Sequence, residues 1–292
     1  MGEVSVLLEG LYFGEALRWH EDRLWFSDFY DHAVHAVSLD GRDERVVEVP
    51  QQPSGLGWLP DGRLVVVSMI DLKLLRRDDG ALVEHADLAG VATCLANDLV
   101  VDREGRAYVT NFGFDLDALL DAEGPAALYG DPGPPRGALA IVEPDGAVRV
   151  GAEGLGFGNG MVITPDGRTL VVAETLAQRL TAYERSEDGS LSNPRIFADL
   201  PGRAPDGICL DAEGCIWVAN AIAAECIRVA DGGQVVDRVE TVMPCFCCTL
   251  GGSAGTTLFA ATAITSHRGI AGTQRSGSIV TTEVSVPAAA AP

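Results

Sequence analysis

Short apolar runs separated by Gly-bearing turns recur along the whole chain, and few windows carry apolar residues at the spacing of an amphipathic helix. One unit returns six times: a small or polar residue, a short apolar strand, a tight turn and a second β-rich strand. The first strands fall at 15–19, 54–58, 97–101, 159–163, 206–210 and 248–252, and their partners at 23–27, 63–68, 106–110, 169–173, 215–219 and 257–261. Between them stand Glu21-Asp22, Pro60-Asp61-Gly62, Arg103-Glu104-Gly105, Pro165-Asp166-Gly167, Ala212-Glu213-Gly214 and Ser253-Ala254-Gly255. Where present, Pro presets one turn dihedral and Gly supplies a positive φ, so these are hairpins. Copies lie roughly 40 to 60 residues apart, the span of a four-stranded blade. The pattern predicts an all-β, six-bladed β-propeller occupying residues 1–292 as a single domain. Residues 3–8 are expected to close the ring beside 276–286, and residues 286–292 to form a disordered tail. The widest gap, 115–137, holds Asp131-Pro132-Gly133-Pro134-Pro135 and reads as a surface excursion able to act as a lid.

Composition narrows the function. The 34 glycines and 15 prolines suit turns and strands. A formal charge of −21 opposes binding to nucleic acid or to an anionic membrane surface, and favours cations. No apolar stretch is long enough to span a bilayer, and the N-terminus lacks the basic start of a secretory signal. Seven cysteines without regular spacing argue against a disulfide framework. Cys245, Cys247 and Cys248 lack partners at zinc-finger spacing and read as small buried hydrophobes in a reducing cytoplasm. The expected partner is a small molecule, and the expected assembly a monomer or homodimer.

In a propeller the innermost strands line a central channel, so equivalent positions converge there. The aligned openers are Glu15, Ser54, Asn97, Asn159, Asp206 and Cys248. Carboxylates and amides facing one axis are unfavourable without partners, and a hard divalent cation resolves this. Oxygen ligands favour Ca2+ foremost, then Mg2+ or Mn2+, while Zn2+ and Fe2+ can accept such a set. Asn159-Gly160 and Asp206-Gly207 also match turn dipeptides, but each hairpin already has its own Gly turn downstream.

Gly14-Glu15-Ala16, Asn97-Asp98 followed by Asp102–Gly105, Asn159-Gly160 before Thr164-Pro165-Asp166-Gly167, and Pro205-Asp206-Gly207 together resemble the SMP-30/gluconolactonase/regucalcin-like family over nearly the whole chain. Ala173-Glu174-Thr175 and residues 248–252 are similar too. The resemblance implies that Glu15, Asn159 and Asp206 bind a metal ion. It places Asn97 at the same metal site, contacting substrate or a water, and makes Asp206 the general base, a role that competes with tight ligation. It implies a divalent-metal-dependent lactonase or esterase-type hydrolase. Family members acting on sugar lactones carry an Arg where this chain has Leu95.

Around the expected mouth stand Trp58, Met69, Phe112, Phe114, Phe157 and Phe246, with His267 in reach. With Leu95, this apolar rim points to a substrate less polar than a sugar lactone. Phosphotriester-like or other activated esters fit the same chemistry. Two other classes stay open: a lyase or isomerase that stabilises an enolate with the cation, and a non-catalytic calcium-binding propeller. Gly251-Gly252-Ser253-Ala254-Gly255 imitates a nucleophile elbow but precedes a strand rather than a helix, so Ser253 is expected to be a turn residue.

Overall fold

The computed structural model describes residues 4–290, and Glu3 and residues 291–292 of the expected terminal segments lie outside them. Six four-stranded antiparallel sheets stand around one axis. Their innermost strands are Gly14–His20, Pro53–Trp58, Ala96–Val101, Gly158–Ile163, Pro205–Leu210 and Cys245–Gly251, each touching the innermost strands of both neighbours. Ser5–Leu11 closes the ring as the outer strand of the sixth sheet, pairing with Gly277–Glu283 in the register Ser5 opposite Thr281. Six apolar clusters fill the gaps between adjacent blades. The short apolar runs read from sequence therefore bury both faces of middle strands such as Leu64–Ser68 and Ile216–Asn220. Among the described residues no helix is long and apolar enough to cross a membrane.

The turns adopt the backbone their residues favour. Glu21 and Asp22 both take positive φ, the pattern of a type I′ hairpin. Gly62, Gly105, Gly167, Gly214 and Gly255 supply positive φ in the other five hairpins. Ser253 thus sits in a hairpin turn, with the strand Thr257–Thr262 after it.

Every innermost strand carries one extra residue against its neighbour near the channel end. Pro53 faces Ser68 and Leu56 faces Val66; Pro205 faces Asn220 and Ile208 faces Val218. Such bulges re-aim a side chain, and here they turn one residue per blade toward the axis. Aligning the bulges corrects one sequence assignment. In blade six the residue equivalent to Asp206 is Phe246, which follows Cys245 opposite Thr262, as Asp206 follows Pro205 opposite Asn220. Cys248 lies two residues further down, buried between blades five and six.

The Ala-rich end also departs from expectation. Ala289 donates its N–H to the Leu210 carbonyl, Ala288 donates to Gly255, and the Pro287 carbonyl accepts from Ala212. These backbone bonds fasten residues 287–289 across the channel end remote from Glu15.

Neighbouring inner strands approach closely at Gly207, where a Cβ would lie 2.5 Å from Cys247 Sγ and 2.7 Å from its Cα. Gly207→Ala is expected to lower unfolding stability by about 1–3 kcal/mol through this overlap. Gly90→Ala, which meets nothing within 4 Å, is expected to leave it unchanged. Urea denaturation of both variants checks the difference. His35 lies between Asp43 (Nδ1 to Oδ2, 2.9 Å) and Asp31 (Nε2 to Oδ2, 3.2 Å). Burial lowers its pKa, but Asp43 and Asp31 outweigh burial and raise it overall. Its stabilising contribution is therefore complete below the unfolded-state value of about 6.5 and disappears as pH rises through the higher folded value. As pH rises above about 6.5 through the raised folded value, the wild type should lose stability more steeply than His35→Gln, as read from thermal melts.

Candidate active site

The bulges bring Glu15, Asn97, Asn159, Asp206 and Phe246 to the floor of one cavity of about 230 Å3 at the N-terminal end of the inner strands. The sixth equivalent, Ser54, is buried beside Asn97. A directed chain of hydrogen bonds runs round this floor. Ser54 Oγ donates to Asn97 Oδ1 (3.1 Å), Asn97 Nδ2 to Asn159 Oδ1 (3.2 Å), and Asn159 Nδ2 to Thr175 Oγ1 (3.2 Å). Thr175 Oγ1 then donates to the Pro205 carbonyl at 2.8 Å. The chain ends beside Asp206 without reaching its carboxylate. Asp206 Oδ1 is buried and has no hydrogen-bond partner among the described residues, while Glu15 Oε2 accepts from the Ala16 N–H at 3.1 Å.

The electrostatics follow from this shortage of donors. Desolvation, then the neighbouring Asp206, holds the Glu15 carboxyl well above the usual range. Desolvation, then Asp98, does the same to Asp206. Directly below, Arg18 reaches across the channel, donating from Nη2 to Asp98 Oδ1 (2.8 Å) and the Leu99 carbonyl (2.7 Å) and from Nη1 to the Leu17 carbonyl (2.9 Å). Arg18 is absent from the sequence-based expectations, and Asp98 enters them only as part of the Asn97-Asp98 motif. The available signal was their placement, Asp98 beside Asn97 and Arg18 three residues beyond Glu15.

Above the floor lies an apolar tier. The residues two positions before the floor residues include Phe13, Leu95, Phe157 and Ala204, all lining the cavity with Gln52. Gln52, Leu95 and Phe157 adopt positive φ of 68°, 43° and 64°, an uncommon backbone for side chains of their size. Phe112 packs on Phe157 at 4.1 Å between ring centroids and Phe13 on Phe246 at 4.8 Å. Met69, Phe112, Phe157 and Phe246 line the cavity. Phe114 supports Phe157 from outside at 5.7 Å.

Two of the rim residues expected from sequence are elsewhere. Trp58 ends its strand at the opposite face, stacked on His20 at 3.8 Å between centroids, because an inner strand crosses the whole depth of the ring. His267 caps a short helix, α2 (Arg268–Ala271), and its Nε2 lies 3.1 Å from Asp121 Oδ1, outside the cavity lining.

The excursion between blade-three strands Ala107–Asn111 and Gly137–Val142 folds into α1 (Leu116–Glu123) and a 3-10 turn, Pro125–Tyr129. Asp115 caps α1 by accepting from the Ala118 N–H at 3.0 Å, and Gly124 ends it at positive φ. Leu116, Leu120, Leu128 and Tyr129 face the cavity. Asp121 meets His267, and Asp117 Oδ2 accepts from the Arg268 N–H at 3.2 Å, tying the excursion to blade six.

Fold and site together define a six-bladed propeller with an axial cavity that is polar at its floor and apolar above. The chain belongs to the SMP-30/Gluconolactonase/LRE-like family, whose region matches residues 13–264. It is 27% identical to a 6-deoxy-6-sulfogluconolactonase of Pseudomonas putida, over 96% of this chain and 94% of that protein. Two solved structures share the fold. One is the calcium-binding protein regucalcin of Agrobacterium tumefaciens, with TM-score 0.79, 21% identity and coverage of 100% of this chain and 97% of that one. The other is a gluconolactonase of Xanthomonas campestris, with TM-score 0.74, 22% identity and coverage of 98% and 90%.

Arg18→Met is expected to destabilise the fold by up to about 3 kcal/mol by leaving Asp98 unpaired in the channel. Adding Asp98→Asn should recover most of that loss. A double-mutant cycle in chemical denaturation measures both, and additive effects would show that the two side chains are not coupled.

Proposed function

We propose that this protein is a divalent-metal-dependent hydrolase acting on a lactone or related ester less polar than a sugar lactone. The observation that carries the reading is the buried, unpartnered Asp206 Oδ1 on a floor that also presents Glu15, Asn97 and Asn159. Among the described residues no group of three or more His, Cys, Asp or Glu side chains forms a metal cage. The donor set is instead two carboxylates and two amides, the oxygen-rich set that suits Ca2+. Charge supports the same stoichiometry. Glu15, Asp98 and Asp206 contribute −3 when ionised and Arg18 contributes +1, leaving −2 for one divalent cation to balance.

Glu15, Asn159 and Asp206, with Asn97 beside them, would hold the ion. When bound, it supplies positive charge that polarises an ester carbonyl and lowers the barrier to the oxyanion. The chain's own groups do the rest. Asp206 accepts a proton from the attacking water as the water oxygen bonds to the carbonyl carbon. The acyl C–O bond then breaks, and the same proton passes to the leaving alkoxide, giving a hydroxy acid from a lactone. Asn97, held by Ser54 on one side and Asn159 on the other, orients the water. Leu95 and the surrounding phenylalanines exclude bulk water and supply no hydrogen bonds to sugar hydroxyls. The membership in a family named for gluconolactonase and the sulfogluconolactonase relative support lactone hydrolysis.

Glu15→Ala and Asp206→Ala should each lose bound metal and at least about 100-fold in kcat/KM on a lactone and ester panel. Ser253→Ala should match the wild type. Acid release followed by pH-stat tests this, with 18O-labelled water delivering one label into the acid product. Full turnover by metal-free Glu15→Ala, or no label in the product, would overturn the hydrolase reading.

A further inference from the structure

The apolar side chains above the polar floor form a compartment with its own position, boundaries and roof. They belong to a separate buried cluster of Phe13, Phe29, Met69, Phe112, Phe157 and Phe246, distinct from the six clusters between blades. A cavity remains within this cluster rather than closed packing, although interiors of proteins are normally filled to crystal-like density. Its upper wall is contributed by Leu116 and Leu120 of α1 and by Leu128, on the one long insertion in the propeller. At the mouth Tyr129, Ile222 and Ile264 are 52%, 58% and 47% exposed. Isolated exposed apolar residues are ordinary, but these three come from three separate loops and line one opening. An apolar path therefore runs from solvent to the carboxylate floor.

From this arrangement we infer that the compartment is an alkyl-chain subsite, and that the substrate is a γ- or δ-lactone bearing a short linear alkyl substituent. The inference rests on the lactone reading of the polar floor. The lactone carbonyl lies at Glu15, Asn97, Asn159 and Asp206, and the alkyl chain extends upward past Leu95 and Phe157 to Leu120. Size sets the length. At protein packing density a volume of 230 Å3 holds on the order of ten non-hydrogen atoms. The lactone ring and its carbonyl oxygen occupy six or seven of these, so about four chain carbons remain. The clasp of Asp121 on His267 and Asp117 on Arg268 holds the roof at that height.

Binding can be tested apart from turnover with 5-alkyl γ-butyrolactams, which keep the ring and carbonyl but resist hydrolysis. Isothermal titration of the intact protein with hydrogen, methyl, propyl, butyl, hexyl and octyl members should show affinity rising about three- to fourfold per methylene up to butyl. Longer chains should gain nothing further. Leu120→Asn and, separately, Leu128→Asn should flatten the rise, and circular dichroism melts establish that each variant is folded. Affinity independent of chain length, or a rise unaffected by both substitutions, would overturn the alkyl subsite. The matching lactones then test the floor. Chain-length-dependent lactam binding without hydrolysis of any lactone would retain the subsite and reject the hydrolase. Equal kcat/KM for the butyl lactone and a polyhydroxylated lactone would retain hydrolysis and reject the subsite.

Discussion

Two carboxylates share the floor of a narrow protein channel that offers them too few hydrogen-bond donors, and the surrounding architecture can be read from that imbalance. Glu15 and Asp206 are each pushed toward the neutral form by desolvation and by a second acid, Asp206 for Glu15 and Asp98 for Asp206. Asn159 and the Gly207 N–H offset this only in part for Asp206. Asn97 donates to Asn159 and to the Gly158 carbonyl, and Asn159 donates to Thr175, so their arrangement rigidifies the ring while Asp206 Oδ1 has no hydrogen-bond partner among the described residues. Such a site is unfavourable in isolation and is sustained by strand pairing in six blades whose inner strands pack on one another.

The bulges make this concentration of charge possible. One extra residue in each inner strand turns a side chain to the axis without interrupting the outer ladder. Glycine at 55, 160 and 207 then lets neighbouring inner strands pack where a Cβ would collide with backbone. Arg18 closes the lower channel and neutralises Asp98, which separates the charged floor from the opposite face. Above the floor the polarity changes within two residues in four blades, from Glu15 to Phe13, Asn97 to Leu95, Asn159 to Phe157 and Asp206 to Ala204. These pairs of positions thus supply both the polar end and the apolar end of the cavity.

The repeat of hairpins was legible because strand period, Pro and Gly carry local physical information. Five of the six axial positions, Glu15, Ser54, Asn97, Asn159 and Asp206, followed from the same register. Blade six was harder to read because Cys245, Phe246, Cys247 and Cys248 offer no polar residue to mark its bulge, and Phe246 emerged only from strand pairing. Trp58 was assigned to the wrong end because hydrophobicity does not tell which mouth of a channel a strand terminus reaches. The Arg18–Asp98 pair joins residues 80 positions apart, and only their places next to Asn97 and three residues beyond Glu15 hint at it. The Ala-rich end looked too featureless to order itself, yet its backbone groups pair with Leu210, Ala212 and Gly255. Composition describes side chains and misses that kind of anchorage.

The strongly acidic chain, with a formal charge of −21, provides a long-range field that attracts cations, and the proposed site would hold one divalent cation against the −2 of its ionised floor. Elemental analysis of the purified protein, paired with calcium titration of a chelator-treated sample, tests this most directly. The account predicts one divalent cation per chain, bound in the wild type and absent from Asp206→Asn. A wild-type protein that neither retains nor takes up a divalent cation, yet turns over its substrate at full rate, would contradict it.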